Sequence, residues 1–156
     1  MDRSQLQAIL EKGQGVYKAF VVTSSGAQAN RFKIYNNGTG DDILVVTRLS
    51  IQVSTALGVW IDDSQTASYT TTTLPASTDV GNAYAPFTDI EYQANGTAAT
   101  AGSHGHFIIG TSGNGIGYTP IITPDQPWII RSGEQLHVMA ASDQVQQEVF
   151  FEGYEL

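Results

Sequence analysis

Apolar and polar residues alternate along most of this chain with a period of two, the spacing that turns successive side chains to opposite faces of a β-strand. Residues 31–36 (RFKIYN) and 43–54 (ILVVTRLSIQVS) show the alternation most clearly. The positions Phe32 and Ile34 in the first run, and Leu49, Ile51 and Val53 in the second, are predicted to share one face. Arg31, Lys33 and Arg48 belong to the other face. The pattern predicts antiparallel strands with one face buried and the other in solvent.

Other runs rich in β-branched and aromatic residues are bounded by Gly, Asn, Asp or Pro, and each is predicted to form a strand. These runs are 16–23, 58–61, 87–93, 104–110, 127–130, 134–142 and 145–156. The sequence RSGE is predicted to turn one strand into the next, and SDQ to close a hairpin into the final strand. About eight to ten such strands predict an all-β fold, an antiparallel jelly-roll-like β-sandwich.

A helical pattern is confined to residues 1–14. Ser4 and Gln7 fit a capping box, and Gly13 can end the helix. The apolar stripe of this helix consists of Leu6, Ile9 and Leu10. Because so short a helix is marginal alone, its stripe must dock on its own domain or on a neighbouring subunit. The chain therefore divides into an N-terminal helix or arm at 1–14 and one β-sandwich domain at 15–156.

Composition removes several classes of function. The chain of 156 residues carries 15 Asp and Glu against 7 Lys and Arg, a net charge of −8, which disfavours contact with nucleic acid. It contains no cysteine, so disulfides and zinc–thiolate sites are excluded. No signal peptide and no apolar run of about twenty residues is recognisable, so we expect synthesis in the cytoplasm and no membrane partner.

The sequence SHGHFIIG places His104 and His106 two apart, where they are candidate metal ligands on one strand face, with His137 as a third. Cupins use a similar scheme on a jelly roll, but they continue with a Glu where this chain has Ile109 and Gly110. His137 is also displaced by one residue from the second cupin motif. A cupin-like metal-dependent enzyme is therefore the weaker alternative. We expect no catalytic residues and no cofactor, and we favour a polar rim or interface for the two histidines.

Two long segments, 62–86 and 110–127, interrupt the strands, and segments of this length are typically used for contacts. We expect Tyr118, Ile121 and Ile122 to form a subunit contact together with the helix stripe, although packing within the domain stays open for all of them. Exposed aromatic residues would also suit a sugar-binding β-sandwich. The aromatic candidates are Trp60, Tyr69, Tyr84, Tyr118 and Trp128, of which the two tryptophans are expected to pack in the core.

Residues 31–54 and 127–156 together resemble the jelly-roll or β-sandwich structural proteins of tailed-phage virions. The shared pattern is an apolar strand, a Gly-Glu turn, a second strand, and a final strand that ends in aromatic and Glu residues. The resemblance implies a non-enzymatic virion protein, a capsid decoration or cement protein, most simply a homotrimer that binds the major capsid protein or other virion subunits. A carbohydrate-binding module with a glycan partner is the alternative.

Overall fold

The computed structural model describes residues 4, 7, 14–23, 29–53, 57–63, 69, 71–77, 85–96, 102–109, 121–122, 127–140 and 146–156. Twelve strands are present in this part of the chain. They are β1 (Gln14–Thr23), β2 (Ala29–Asn36), β3 (Ile43–Val53), β4 (Leu57–Asp62), β5 (Thr71–Thr73), β6 (Ala76–Ser77), β7 (Thr88–Gly96), β8 (Gly105–Ile109), β9 (Ile121–Ile122), β10 (Trp128–Arg131), β11 (Gln135–Ala140) and β12 (Gln146–Glu155).

The strands form two antiparallel sheets of six. Sheet A has the order β10-β3-β12-β1-β6, and β9 also pairs with β3. Sheet B has the order β5-β7-β2-β11-β4-β8. The all-β antiparallel prediction is therefore confirmed.

Four of the strand pairs are nested one inside another. β1 pairs with β12, β2 with β11, β3 with β10, and β4 with β8. The first and third of these pairs lie in sheet A, and the second and fourth lie in sheet B. The chain thus runs outwards through β1 to β4 and returns antiparallel to itself, with the paired segments placed alternately in the two sheets.

One hydrophobic cluster receives side chains from both sheets. Sheet A contributes Val16, Leu44, Val46, Leu49, Ile51, Ile130, Val149 and Phe151, and sheet B contributes Phe32, Ile34, Val59, Ile61, Ile90, Leu136 and Val138. All of them are at most 4% exposed. The predicted core positions Phe32 and Ile34 of β2 and Leu49 and Ile51 of β3 are therefore confirmed.

Two details of the predicted strand pattern differ from the structure. The hairpin predicted at SDQ is wrong, because β11 belongs to sheet B and β12 to sheet A. Polar residues between two strands predict a reversal of the chain, but they do not predict which sheet receives the next strand. The segments predicted as uninterrupted loops also contain short strands, β5 and β6 in 62–86 and β9 in 110–127. The predicted N-terminal helix has only Ser4 and Gln7 among the described residues, and it stays a prediction.

The buried side chain of Asn36 ties the two sheets together. Its Nδ2 group donates to the backbone carbonyls of Asp42 at 3.0 Å and Ile130 at 2.8 Å, and its Oδ1 accepts from the Gly38 amide at 2.9 Å. The Asn36 backbone also exchanges hydrogen bonds with the 133–134 turn. Because β2 lies in sheet B and β3 and β10 lie in sheet A, one amide fixes the relative position of three strands.

The turns beside Asn36 need glycine. Gly40 and Gly133 have φ values of 62° and 80°, in the left-handed region that side chains rarely adopt. The two turns are joined by the Ser132 hydroxyl, which donates to the Gly38 carbonyl at 2.6 Å. The β2–β3 and β10–β11 connections therefore form one hydrogen-bonded unit at this end of the molecule.

Glu155 makes a second link between the sheets at the same end. Its carboxylate is 2% exposed and accepts hydrogen bonds from the Thr88 amide and hydroxyl and from the Phe87 amide. Glu155 belongs to β12 in sheet A, whereas Thr88 begins β7 in sheet B. A carboxylate with several hydrogen-bond donors is compatible with burial, since the donors replace the lost water.

The Asn36 link makes a direct prediction about stability. Asn36→Ala should lower the free energy of unfolding by about 2–4 kcal/mol, because two carbonyls and one amide lose their partners in a buried setting. Urea denaturation followed by circular dichroism measures the change. Thr39→Ala, in the exposed part of the same turn, is the control and should stay within about 0.5 kcal/mol of the parent. Equal losses for the two variants would contradict the assigned role.

Candidate functional site

Four polar side chains lie in line across the face of sheet B that points away from the core. Glu91 is opposite Lys33, Lys33 is opposite His137, and His137 is opposite Asp62. We call this set the polar row. Sequence alternation predicts a solvated face here, yet Lys33, His137 and Asp62 are only 5%, 0% and 1% exposed. The prediction of a half-buried strand is therefore wrong at Lys33, where both faces of the sheet are covered.

Tyr69 covers the polar row and is itself buried, at 8% exposure. Its hydroxyl shares a 2.8 Å hydrogen bond with Nδ1 of His137, and its amide donates to Glu91 at 3.2 Å. Its ring packs edge-on against the imidazole and lies 5.8 Å from the Lys33 Nζ atom. Burial raises the pKa of the Tyr69 phenol, so the hydroxyl stays protonated at neutral pH. These contacts hold Tyr69 against the outer face of sheet B.

Lys33 and Glu91 form a buried ion pair within the row. Their Nζ and Oε2 atoms are 2.6 Å apart, and their side chains are 7% and 15% exposed. A charge in such a position is tolerated only while its partner is present. Because Lys33, His137 and Asp62 are almost wholly buried, the row offers little exposed surface to a substrate. We interpret the polar row as a structural element that holds Tyr69 against sheet B.

A second cluster lies where β4 ends and β8 approaches. The Ser103 amide and hydroxyl contact Oδ1 of Asp62 at 3.1 and 2.7 Å, and the same hydroxyl lies 2.6 Å from Oδ1 of Asp63. Nε2 of His104 is 2.8 Å from Oδ2 of Asp63. The hydroxyl is thus held by two carboxylates rather than by the imidazole. This arrangement differs from a Ser-His nucleophile, in which the imidazole receives the hydroxyl proton.

Backbone contacts hold this cluster in place. The His104 amide donates to the Ile61 carbonyl at 2.9 Å. At Gly102, an added Cβ atom would approach the same carbonyl to 2.6 Å, so only glycine allows the segment to pass this close to β4. The hydrogen bonds from Ser103 and from His104 lower the pKa of Asp63 below its ordinary value. Asp63 is therefore an ionised acceptor at neutral pH, with its side chain 54% exposed.

A cleft opens beside this cluster, between β10, β11 and the Asp63–His104 pair. Its cavity volume is about 730 Å³, and its polar and aromatic lining includes Asp63, His104, Trp128, Arg131, Glu134 and Gln135. Trp128 packs against the core cluster and also faces the cleft, where the His104 ring meets it at 75° with the centroids 6.5 Å apart. The volume falls within the range of about 300–1,000 Å³ that is typical of small-molecule sites. This cleft is the candidate functional site.

The structure places the three histidines in different surroundings. The structure brings His104 to Asp63, while His106 lies in β8 opposite Trp60 in the pairing register. His137 alternates in β11 with two core residues and belongs to the polar row instead. Within the described ranges, no three His, Cys, Asp or Glu side chains are grouped as a metal site requires.

The predicted interface residues fall mostly outside the described part of the chain. Leu6, Ile9, Leu10 and Tyr118 are not among the described residues, so a contact role for them stays a prediction. Ile121 and Ile122 form β9, which pairs with β3 at Leu49 and Ser50. This pairing places the isoleucines at an edge of sheet A. Trp128 packs against the core, as expected, and also lines the cleft.

The partners that complete the polar row and the Asp63 cluster could not be predicted from local sequence patterns. Asp63 and Ser103 are forty positions apart, and so are not linked by any local motif. The same holds for Tyr69 and His137, which are 68 positions apart. The SHGH motif and the set of aromatic candidates pointed to two lining residues of the cleft, His104 and Trp128.

Comparison with protein-family models, with curated proteins and with solved structures finds no match for this chain. In the portion of the chain that is described, no helix is both long and apolar enough to cross a membrane.

Removal of the cation should destabilise the protein much more at the buried Lys33–Glu91 pair than at the exposed Arg131–Glu134 pair. Lys33→Met should lower the free energy of unfolding by about 3–5 kcal/mol, because the Glu91 carboxylate stays buried without its cation. Arg131→Met is the matched control, since the Arg131–Glu134 pair is exposed and its loss should cost no more than about 0.5 kcal/mol. Chemical denaturation of both variants measures the difference. Similar costs would show that the Lys33 pair is screened by solvent.

The Asp63 cluster predicts a measurable titration. Ser103→Ala should raise the pKa of Asp63 towards its ordinary 3.8, because the hydrogen bond that lowers it most is removed. In the parent, this bond stabilises the fold above pH 3.8 and is lost as the pH falls through the lowered pKa. Carboxyl-carbon NMR follows the titration. Ser132→Ala, whose hydroxyl bonds to Gly38 instead, should leave it unchanged. An unaltered Asp63 titration in Ser103→Ala would refute the assignment.

Proposed function

We propose that the two sheets form a jelly-roll β-sandwich and that the chain acts without catalysis, as a structural subunit that binds its neighbours. Support for the jelly roll comes from the nested strand pairs. In a jelly roll, a long hairpin is wrapped so that its successive paired segments lie alternately in two four-stranded sheets. The strand orders β1-β12-β3-β10 and β2-β11-β4-β8 follow this scheme, with β6 and β9 added to sheet A and β7 and β5 added to sheet B.

The observation that carries the assembly proposal is an exposed apolar patch beside an edge of sheet A. Tyr17 in β1 is 39% exposed and lies opposite the exposed Ala76 of β6. Leu74, two residues before Ala76, is 53% exposed. The Phe150 ring lies 6.5 Å from that of Tyr17. We call these four residues the β6-edge patch.

The position of the patch favours a contact with another subunit. Among the described strands, β6 is the last of sheet A on that side, so its outer edge has no strand partner. Exposed aliphatic and aromatic groups beside an open edge are a hazard for aggregation unless a neighbour covers them. A closed homo-oligomer covers each copy with the next. A homotrimer, the arrangement that the resemblance to phage decoration proteins implies, is the form we propose.

In this proposal the assembly is part of a virion, where the chain stabilises a capsid by protein–protein contacts with the major capsid protein or other virion subunits. Its gene would then lie beside a gene for a major capsid protein. Purified chain should also sediment together with capsids assembled from that neighbour. A genome without such a neighbour, or capsids that leave the chain in the supernatant, would remove the virion part of the proposal.

The homotrimer makes a separate prediction. Light scattering coupled to size-exclusion chromatography should give a trimer mass for the parent and a monomer mass for the double variant Tyr17→Ser/Leu74→Ser, because the apolar contact is lost. The control is Ile129→Ser, which changes an apolar residue of similar exposure, 37%, on the opposite edge strand of sheet A. A monomeric parent, or a double variant that keeps the parent mass, would contradict an interface at the β6-edge patch.

A further inference from the structure

The polar and aromatic residues that line the cleft beside β10 have no role in the proposed assembly. It lies at the β10 end of sheet A, whereas the β6-edge patch lies at the other end. An exposed part of Trp128 faces side chains that accept and donate hydrogen bonds. A ligand that fits must therefore offer an apolar surface for the indole and polar groups around its perimeter.

The Trp128 side chain is held in one position. On one side it packs against the core cluster, and the His104 ring meets it nearly edge-on, with the interplanar angle at 75°. His104 is in turn fixed by its 2.8 Å contact with Asp63. An aromatic ring that is already immobilised loses little conformational entropy when a ligand stacks on it.

Asp63 offers a fixed acceptor at the wall of the cleft. Each of its two carboxylate oxygens already receives one hydrogen bond, from Ser103 and from His104, and the side chain is still 54% exposed. A carboxylate has about four lone-pair sites, so acceptor capacity remains for a ligand hydroxyl. Because the existing bonds set its orientation, Asp63 needs no rearrangement to accept another.

The balance of charge in the cleft excludes an anionic ligand. Among the described lining residues, Asp63 and Glu134 supply two carboxylates, and the one guanidinium, that of Arg131, lies 3.9 Å from Glu134. The whole chain carries a net charge of −8. Phosphate groups and acidic sugars would meet carboxylates in a negative field. A neutral ligand rich in hydroxyl donors meets acceptors instead.

We propose that this cleft is a binding site for a neutral pyranose unit of a saccharide. The apolar C–H face of the sugar stacks on Trp128, and vicinal hydroxyl groups donate to Asp63 and Glu134. The site is independent of the homotrimer, since its residues are separate from the β6-edge patch. The proposal and the assembly function can therefore fail separately.

The test uses the full chain and a glycan microarray that carries neutral and sialylated oligosaccharides. Saturation-transfer NMR with the methyl glycosides of glucose, galactose, mannose and N-acetylglucosamine follows on the purified protein. We expect binding to neutral glycans, with saturation transferred mainly to the C–H protons of one face. Asp63→Asn and Trp128→Phe should each weaken binding about tenfold or more, the loss expected for one charge-assisted hydrogen bond or a reduced stacking surface.

Two control variants match these substitutions outside the cleft. Glu152→Gln removes an exposed carboxylate of sheet A, and Trp60→Phe changes the second tryptophan, which lies in β4 of sheet B. Both should bind as the parent does. Circular dichroism confirms that each variant is folded, and Asp63→Asn keeps the test decisive if Trp128→Phe is destabilised.

Three results would overturn the proposal. The first is a parent chain that gives neither array signal nor saturation transfer. The second is preferential binding of sialylated glycans, which would contradict the charge argument. The third is binding that survives both cleft variants, which would place the ligand elsewhere. A peptide that binds by pairing with the β10 edge would belong to this third class, since backbone pairing does not need the Asp63 charge.

Discussion

The amide of Asn36 is the constraint on which the arrangement of the two sheets most depends. Its donors and acceptor are satisfied by backbone groups of Ile130 in β10 and of Gly38 and Asp42 in the turn between β2 and β3. Hydrophobic burial brings two sheets together without fixing their offset, because it has no direction. A buried amide is directional, and any slip of one sheet would leave polar groups without partners. The Glu155 carboxylate applies the same constraint from β12.

The end of the molecule that is held together by Asn36 and Glu155 also positions the cleft. The turn joined to Asn36 carries Arg131 and Glu134 at its boundaries, and β10 enters it from Trp128. Three lining residues of the cleft are therefore placed by the same hydrogen bonds that align the sheets. Asp63 and His104 reach the cleft from the other side, held to β4 through backbone contact with Ile61. A binding surface built on strand ends and locked turns is more rigid than one built on long loops.

The sequence was sufficient to predict which face of a strand is buried, and insufficient to predict which strands pair with one another. Alternation identified core positions such as Phe32 and Ile51, because burial on one face of a strand leaves a local periodic signal. Strand partners are set by contacts between distant segments, which local sequence does not reveal. The SDQ sequence therefore predicted a hairpin, although β11 lies in sheet B and β12 in sheet A. Likewise, Lys33 lies at a position where alternation predicts a solvated side chain, and its burial involves residues distant in sequence such as Tyr69, 36 positions away.

The central place of β12 has a consequence for how the chain is made. β12 lies between β1 and β3 and pairs with both along most of its length. It is also synthesised after them. Until it leaves the ribosome, β1 and β3 each keep an open edge of hydrogen-bonding groups in the middle of what will be sheet A. Pairing within this sheet therefore cannot be completed before β12 emerges, and a translation product interrupted before β12 exposes the strand edges that promote aggregation.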